Sequence, residues 1–200
     1  MKKYIFETAL AIGLSFSLII GALALDTQQD ISDKLIRLHV IANSDSDEDQ
    51  RLKLLVRDEI LQHISSLTEN CRSIDEAKAL ISKNLDRLEA IATSVIKDNG
   101  FYYAAQAELS EAYFPTKVYD SFSLPAGNYE ALRIKLGEAS GENWWCVLFP
   151  PVCVSAAEAE AEFESAGLTE DEIKLLTSDE PEYQFKFKIV EIIEELTVKK

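Results

Sequence analysis

The stretch LIRLHVIANSDSDEDQ, residues 35–50, holds side chains whose types could support catalysis or metal binding. His39 could act as a general base if a carboxylate oriented its ring or a nucleophile lay within reach. Asp45 follows a few residues later and is a candidate for that carboxylate. The pair suggests a secreted hydrolase that uses His39 and Asp45, with or without a bound metal. The chain has no GxSxG, HExxH, P-loop or GxGxxG motif, which makes this the weaker hypothesis.

The aspartates of the same stretch have the D-x-D-x-D spacing with which a calcium loop begins, from Asp45 to Asp49. The rest of that loop is missing, because Gln50 stands where a glycine is needed and Val56 where a bidentate glutamate is needed. A helix N-terminus explains the acids more simply, since its free N–H groups and partial positive charge attract carboxylates. We therefore expect Ser46 to cap a helix, and we expect no metal site or cofactor.

A strand must position His39. Alternate residues of this strand form a wholly apolar set that we expect to face the core: Ile36, Leu38, Val40 and Ala42. The opposite face carries a mixed set: Leu35, Arg37, His39 and Ile41. Because both faces are partly apolar, the pattern is typical of a central strand.

Two long helices follow the strand, over residues 47–67 and 74–97. Apolar residues recur at three- and four-residue spacing in both ranges. Ser73 and Glu76 have the spacing of a capping box, and Gly100 is well placed to end the second helix.

The pattern then changes to a period of two, which predicts strands. Strands are expected over residues 101–109 and in KVYDSFSL, residues 117–124. After a turn at 125–127 we expect a strand around residues 132–136, a glycine-containing hairpin loop and a last strand in NWWCVLFPP. Such neighbours predict a largely antiparallel sheet packed by helices, in a single domain of the α+β class.

The tail returns to helix. Ser155 with Glu158, and Thr169 with Glu172, repeat the capping-box spacing, and Gly167 separates the two predicted helices. The last segment, FKFKIVEIIEEL, fits either a helix or a strand.

The N-terminus has the pattern of an export signal. Lys2 and Lys3 precede the apolar stretch ALAIGLSFSLIIGALAL, which is short for a membrane span and suits a secretory signal. Residues 1–24 are predicted to be a signal peptide, cleaved after Ala24, or a retained membrane anchor. Residues 25–33 form a polar spacer, and residues 34–200 form the folded domain. The membrane is expected to be contacted only through the N-terminal segment.

The overall charge excludes one class of partner. The formal net charge of −15 repels phosphate backbones, so we expect no nucleic-acid binding.

Export makes disulfides feasible. Cys146 and Cys153 flank VLFPPV, where a bend at the two prolines could bring them together, so they are a candidate disulfide. The alternative is a pair of buried thiols. Cys71 is left over as a structural or free thiol.

Two adjacent tryptophans stand out in NWWCVLFPP. On a strand, Trp144 and Trp145 must point to opposite faces, so one can join the core. The other must be covered by a helix, a loop or another protein, and tryptophan is enriched at binding hot spots.

Two long strings give the sequence a family resemblance. LIRLHVIANSDSDEDQRLKLLVRDEIL and NWWCVLFPPVC closely resemble the stage II sporulation protein R family of endospore-forming bacteria. The resemblance extends to the second helix, the segment LPAGNYEALRIKLGEASGENWWCVLFPP and the export segment.

The resemblance implies a signalling protein and not an enzyme. Members are made in the forespore and exported to the space between the forespore and mother-cell membranes. There they activate a membrane-embedded aspartic protease, stage II sporulation protein GA, which processes the precursor of sigma-E. No catalytic residues are implied. The expected partner-binding positions, taken as exposed, are Arg37, His39, Asn43, Ser44, Asp45, Trp144 and Trp145.

Overall fold

The computed structural model describes residues 26–119, 121–152 and 159–177, together with six isolated positions between 4 and 15. The helices are α1 (residues 26–32), α2 (Asp47–Thr68), α3 (Ile74–Lys83), α4 (Leu85–Asp98), α5 (Ala159–Ser165) and α6 (Glu170–Thr177). The strands are β1 (Ile36–Ile41), β2 (Ala105–Phe114), β3 (Lys117–Val118), β4 (Ser123–Leu124), β5 (Gly127–Leu136) and β6 (Asn143–Phe149). The predicted α+β class is confirmed.

The main sheet has the strand order β2-β5-β1-β6. Strand β1 is parallel to β5 and antiparallel to β6, and β2 is antiparallel to β5. Two of these three pairings are antiparallel, so the sheet is largely antiparallel as predicted. The prediction that β5 and β6 form a hairpin is wrong, because β1 lies between them.

Strand β1 is central, and this explains its apolar residues on both faces. Ile36, Leu38 and Val40 are fully buried on one face of the sheet, where they pack with residues of α2, α3 and α4. We call this the helical face. Burial of each such side chain stabilises the fold by about 1.5–3 kcal/mol.

The other side of the sheet, which we call the Arg37 face, has a second core at one end. Leu35, Ala131 and Val147 lie there with apolar residues of α1, β4, α5 and α6. A two-stranded sheet formed by β3 and β4 belongs to this layer. The single strand predicted over residues 117–124 is therefore two short strands.

The long helices match the periodicity with one exception. Helix α2 follows the prediction, and Ser73 caps α3 by accepting a hydrogen bond from the N–H of Glu76. The second predicted helix is broken at Asn84, whose side chain donates to the carbonyl of Leu80. A side chain that bonds to nearby backbone in this way competes with helix continuation.

Other expectations shift by a few residues or fall outside the described range. Strand β2 begins at Ala105, so residues 101–104 precede it. Thr169 and Glu172 form the predicted reciprocal cap at the start of α6. Ser155, Glu158 and the segment FKFKIVEIIEEL lie outside the described residues, as does most of the apolar N-terminal stretch. Across the described positions, no helix combines the length and hydropathy that a membrane crossing requires.

The connection between β5 and β6, residues 137–142, passes the end of β1 at close range. The N–H of Gly141 donates to the carbonyl of Ala42 at 3.0 Å. A Cβ on Gly141 would lie 2.2 Å from the backbone oxygen of Ser44, so only glycine fits without displacing the chain.

Gly141→Ala should lower the free energy of unfolding by about 1–3 kcal/mol, because the added methyl group overpacks against backbone. Ala139→Gly is the matched control in the same loop. Ala139 has a φ of 50°, a left-handed conformation that glycine adopts without strain. We expect this control to stay within about 1 kcal/mol of wild type. Denaturant unfolding checks both, and equal stabilities for Gly141→Ala and wild type would contradict the close contact.

Candidate functional site

The buried carboxylate of Asp49 organises the loop between β1 and α2. Asp49 is 4% exposed and accepts hydrogen bonds from the side chains of Asn43, Ser44 and Tyr103. Its own N–H donates to the Ser46 side chain, which is the predicted N-cap. Desolvation raises the pKa of Asp49, but the hydrogen bonds it accepts outweigh this, so its pKa lies below the ordinary value. The carboxylate is therefore a structural acceptor.

The same loop is tied to the β5–β6 connection. The side-chain oxygen of Asn43 accepts from the N–H of Glu138 at 3.0 Å, and Asp45 accepts from the N–H of Glu142 at 2.7 Å. Lys53 of α2 donates to the carbonyl of Glu142 at 3.0 Å. These bonds fix two neighbouring loops at one end of the sheet in a single arrangement.

Three of the expected partner-binding residues thus have internal partners. The side chains of Asn43 and Ser44 bond to Asp49 in the first turn of α2, and Asp45 bonds to the backbone of the β5–β6 connection. Asn43 and Ser44 are half-buried, while Asp45 is exposed. No cluster of three or more metal-ligating side chains occurs among the residues that the structure describes.

Arg37 is fully buried, so the prediction that it is exposed is wrong. Its guanidinium carbon lies 4.1 Å from the ring centre of Phe114 and 4.9 Å from that of Tyr129. Its Nη2 donates to the hydroxyl of Tyr119 at 2.8 Å, whereas Nε and Nη1 have no hydrogen-bond partner in the described part of the chain. The aromatic layer over the Arg37 face covers this position, which the sequence pattern could not indicate.

His39 lies half-buried on the Arg37 face. Its Nε2 is 2.7 Å from the side-chain oxygen of Asn143, and its ring stacks on Trp145 at a centroid distance of 5.8 Å. Burial lowers the pKa of His39, the hydrogen bond to Asn143 opposes this, and the cations Arg133, Arg37 and Lys135 lower it further. Near neutral pH the ring is therefore mostly uncharged. The hydrolase hypothesis needs a His39–Asp45 pair, and in the described chain each residue bonds elsewhere.

The two tryptophans point to opposite faces, as predicted; neither is fully buried, but Trp145 packs against the second core. Trp144 is 36% exposed and lies under the guanidinium of Arg57, whose carbon is 4.3 Å from the ring centre. Trp145 is half-buried, with the Nζ of Lys117 3.9 Å from its ring centre. Each indole is covered in part by a cation of the same chain.

The sequence analysis missed three cations on the Arg37 face that lie close to His39 and Trp145: Lys117, Arg133 and Lys135. His39 pairs across the sheet with Arg133 and Trp145, and Ile41 pairs with Lys135, so these side chains share one face. We call four residues of this face the basic patch: the cations Lys117, Arg133 and Lys135, and the mostly uncharged His39 beside them. Alternation within β5 could have placed Arg133 and Lys135 on one face, but only the strand order places them beside His39.

The cysteines agree in part with the sequence analysis. Cys146 is disulfide-bonded, and Cys71 is a free thiol whose pKa is raised by burial and by Glu76. Cys153, the candidate partner of Cys146, lies outside the described residues.

Comparison with known proteins bears on the family. The family model of stage II sporulation protein R matches residues 32–159, which contain every strand of the main sheet and both loops described above. The chain belongs to the stage II sporulation protein R family. Stage II sporulation protein R of Bacillus subtilis strain 168 is 43% identical over 123 residues, which cover 62% of this chain and 55% of the relative. The match thus spans just over half of that protein's length. No solved structure matches the chain.

Membership of the stage II sporulation protein R family is consistent with a role in sporulation, and the family is not named for a reaction. The matched range begins after the apolar N-terminal stretch and ends before the acidic tail.

Asp49→Asn should lower the free energy of unfolding by about 1–3 kcal/mol at pH 7, because an amide group would face side-chain donors. The folded pKa of Asp49 is depressed, so its contribution is present above the unfolded pKa of about 3.9 and is lost as the pH falls through the folded pKa. The stability gap between wild type and Asp49→Asn should therefore narrow below about pH 3.9. Denaturant unfolding of both proteins at pH 7 and pH 3 measures this difference in the free energy of unfolding. A difference that is larger at pH 3 would contradict the depressed pKa of Asp49.

Arg37→Met should keep the free energy of unfolding within about 1 kcal/mol of wild type, or raise it, because a buried cation without a carboxylate is costly. Tyr119→Phe in the wild-type background should cost about 0.5–1.5 kcal/mol by removing the hydrogen bond to Arg37. The same change in Arg37→Met should cost nothing. A double-mutant cycle by thermal unfolding separates these terms, and a loss above about 3 kcal/mol for Arg37→Met would show a structural need for the charge.

Proposed function

We propose that this protein is an exported sporulation signal. It acts in the space between the forespore and mother-cell membranes and activates the membrane-embedded aspartic protease, stage II sporulation protein GA. The protease then processes the precursor of sigma-E. The observation that carries the proposal is the family membership of residues 32–159, which include the whole main sheet and its two joined loops.

The geometry supports a ligand with a preformed surface. A ligand activates a receptor only by binding the active state more tightly than the inactive one. A difference of about 2.7 kcal/mol shifts the populations roughly a hundredfold. Loops held by Asp49, Asn43 and Lys53 present a single conformation, so little of the binding energy is lost to ordering the surface.

A secreted hydrolase, the alternative function, would require a different arrangement of His39. It needs His39 to be oriented by Asp45 or by a metal, whereas His39 bonds to Asn143 and Asp45 to the backbone of Glu142. A hydrolase would cleave a substrate unaided and would lose turnover in His39→Ala.

Co-expression with the protease and the sigma-E precursor in a non-sporulating host tests the activator role. We expect precursor cleavage when the full chain and the active protease are both present. Replacing the catalytic aspartate of the protease should abolish cleavage, because the chain supplies recognition and not chemistry. Cleavage that persists with the inactive protease, or that is unaffected by omitting the chain, would defeat the proposal.

Deleting residues 1–24 tests the site of action in the same assay. The shortened chain should accumulate in the cytosol and leave the precursor uncleaved, while its folded domain keeps the wild-type thermal unfolding midpoint. Fractionation and immunoblotting give both readouts. Undiminished cleavage by the cytosolic form would rule out action across the membrane.

A further inference from the structure

Part of the Arg37 face is accessible and positively charged, although the chain as a whole carries a net charge of −15. The side chains of Arg133 and Lys135 are both 27% exposed. Lys117 and His39 are half-buried beside them, and Trp145 lies between Lys117 and His39. This positively charged surface therefore differs in sign from the charge of the protein as a whole.

Among the described residues, the cations of this region outnumber its acids. Glu108 forms ion pairs with both Arg133, at 2.7 Å, and Lys135, at 2.9 Å. Within the described ranges, neither Lys117 nor Arg37 has an ion-pair partner; Lys117 contacts the face of Trp145 instead. At least one further cationic charge at this surface therefore has no acidic partner in the part of the chain that the structure describes.

The buried Arg37 adds to this excess. Two of its donor atoms have no hydrogen-bond partner among the described residues. Its charge depresses the pKa values of both His39 and Lys117, so it lies within electrostatic reach of the patch. A charge held in a low-dielectric interior acts on its surroundings more strongly than one in water. Burial of the Arg37 charge lowers the stability of the free protein. The same charge attracts an anion that binds nearby, which offsets part of that cost.

We propose that the basic patch, together with Trp145, is the docking surface for an acidic segment of the partner protein, whose aspartate or glutamate side chains approach Lys117, Arg133 and Lys135. The inference rests on the proposed function, because it names the chemistry by which the partner is recognised. Charge complementarity selects the occupant, and the indole of Trp145 supplies apolar contact beside the ion pairs. Steering by such a patch also accelerates encounter between two membrane-apposed proteins.

The test uses the full chain and a labelled synthetic peptide of alternating glutamate and glycine, with a glutamine-and-glycine peptide as the uncharged probe. Lys117→Glu with Lys135→Glu reverses the patch. Lys83→Glu with Lys97→Glu makes the same change in net charge at exposed positions of α3 and α4. Fluorescence anisotropy gives affinities, and thermal unfolding confirms that each variant is folded.

Wild type should bind the glutamate peptide more tightly than the glutamine peptide. Reversal of the patch should weaken that binding by about tenfold or more, and reversal on α3 and α4 by about twofold at most. Arg37→Met, which is expected to keep its stability, should also weaken it. Equal losses for the two double variants, or no preference of wild type for the glutamate peptide, would overturn the proposal.

The chain's own acidic tail is a rival occupant. Replacing Glu191, Glu194 and Glu195 by glutamine in the full chain should leave peptide affinity unchanged if the partner is the occupant. An increase of tenfold would assign the patch to the tail and overturn the proposal.

The co-expression assay separates this inference from the proposed function. The patch reversal should lower precursor cleavage about tenfold while the α3–α4 reversal supports it. If wild type promotes cleavage and the patch reversal does so equally well, only the docking surface is wrong. If wild type fails to promote cleavage, the proposed function fails, and the peptide affinities still decide the chemistry of the patch.

Discussion

The buried carboxylate of Asp49 holds together the loops at one end of the main sheet. It lies at the start of α2, directly after the central strand, and it accepts hydrogen bonds from both the β1–α2 loop and Tyr103. Through Asn43 the same network reaches the β5–β6 connection. A buried charge is tolerated only when its acceptor positions are filled, so the loops have little freedom to rearrange. The stretch that first suggested catalysis is thereby explained as the joint between two loops.

The strand order determines which side chains share the Arg37 face. Strand β1 lies between β5 and β6, which places Arg133 and Trp145 directly opposite His39 and Lys135 on the same face one pair further along. Aromatic and aliphatic residues cover part of this face, and the basic patch lies beside them. An acidic protein thus presents a local surface of opposite sign.

The sequence predicted the elements better than their arrangement. Periodicity and capping residues located α2, the start of α3 and the apolar set of β1, because these depend on neighbours a few residues apart. The break at Asn84 was missed, because one side-chain hydrogen bond decides it. The hairpin was predicted wrongly, since a loop that turns back and a loop that passes one intervening strand use similar residues. A hairpin loop joins neighbouring strands about 5 Å apart, whereas the observed connection joins strands about 10 Å apart.

The candidate site was predictable only in part, because it depends on contacts between residues that are distant in the sequence. His39 and Trp145 were selected from the sequence, and the structure brings them into contact. Arg37 was placed on the correct face, but its burial depends on Phe114 and Tyr129, which come from distant strands. Lys117 and Lys135 carried no signal of their own, because isolated lysines usually mark solvated surface.

Reconstitution of the purified protease with its precursor in lipid vesicles tests the central claim most directly. The claim is that this chain acts by being recognised through a preformed surface. The rate of precursor cleavage should rise saturably as folded chain is added, and it should be zero when the chain is present without the protease. Cleavage by the chain alone, or a protease rate that does not respond to the chain, would contradict the account.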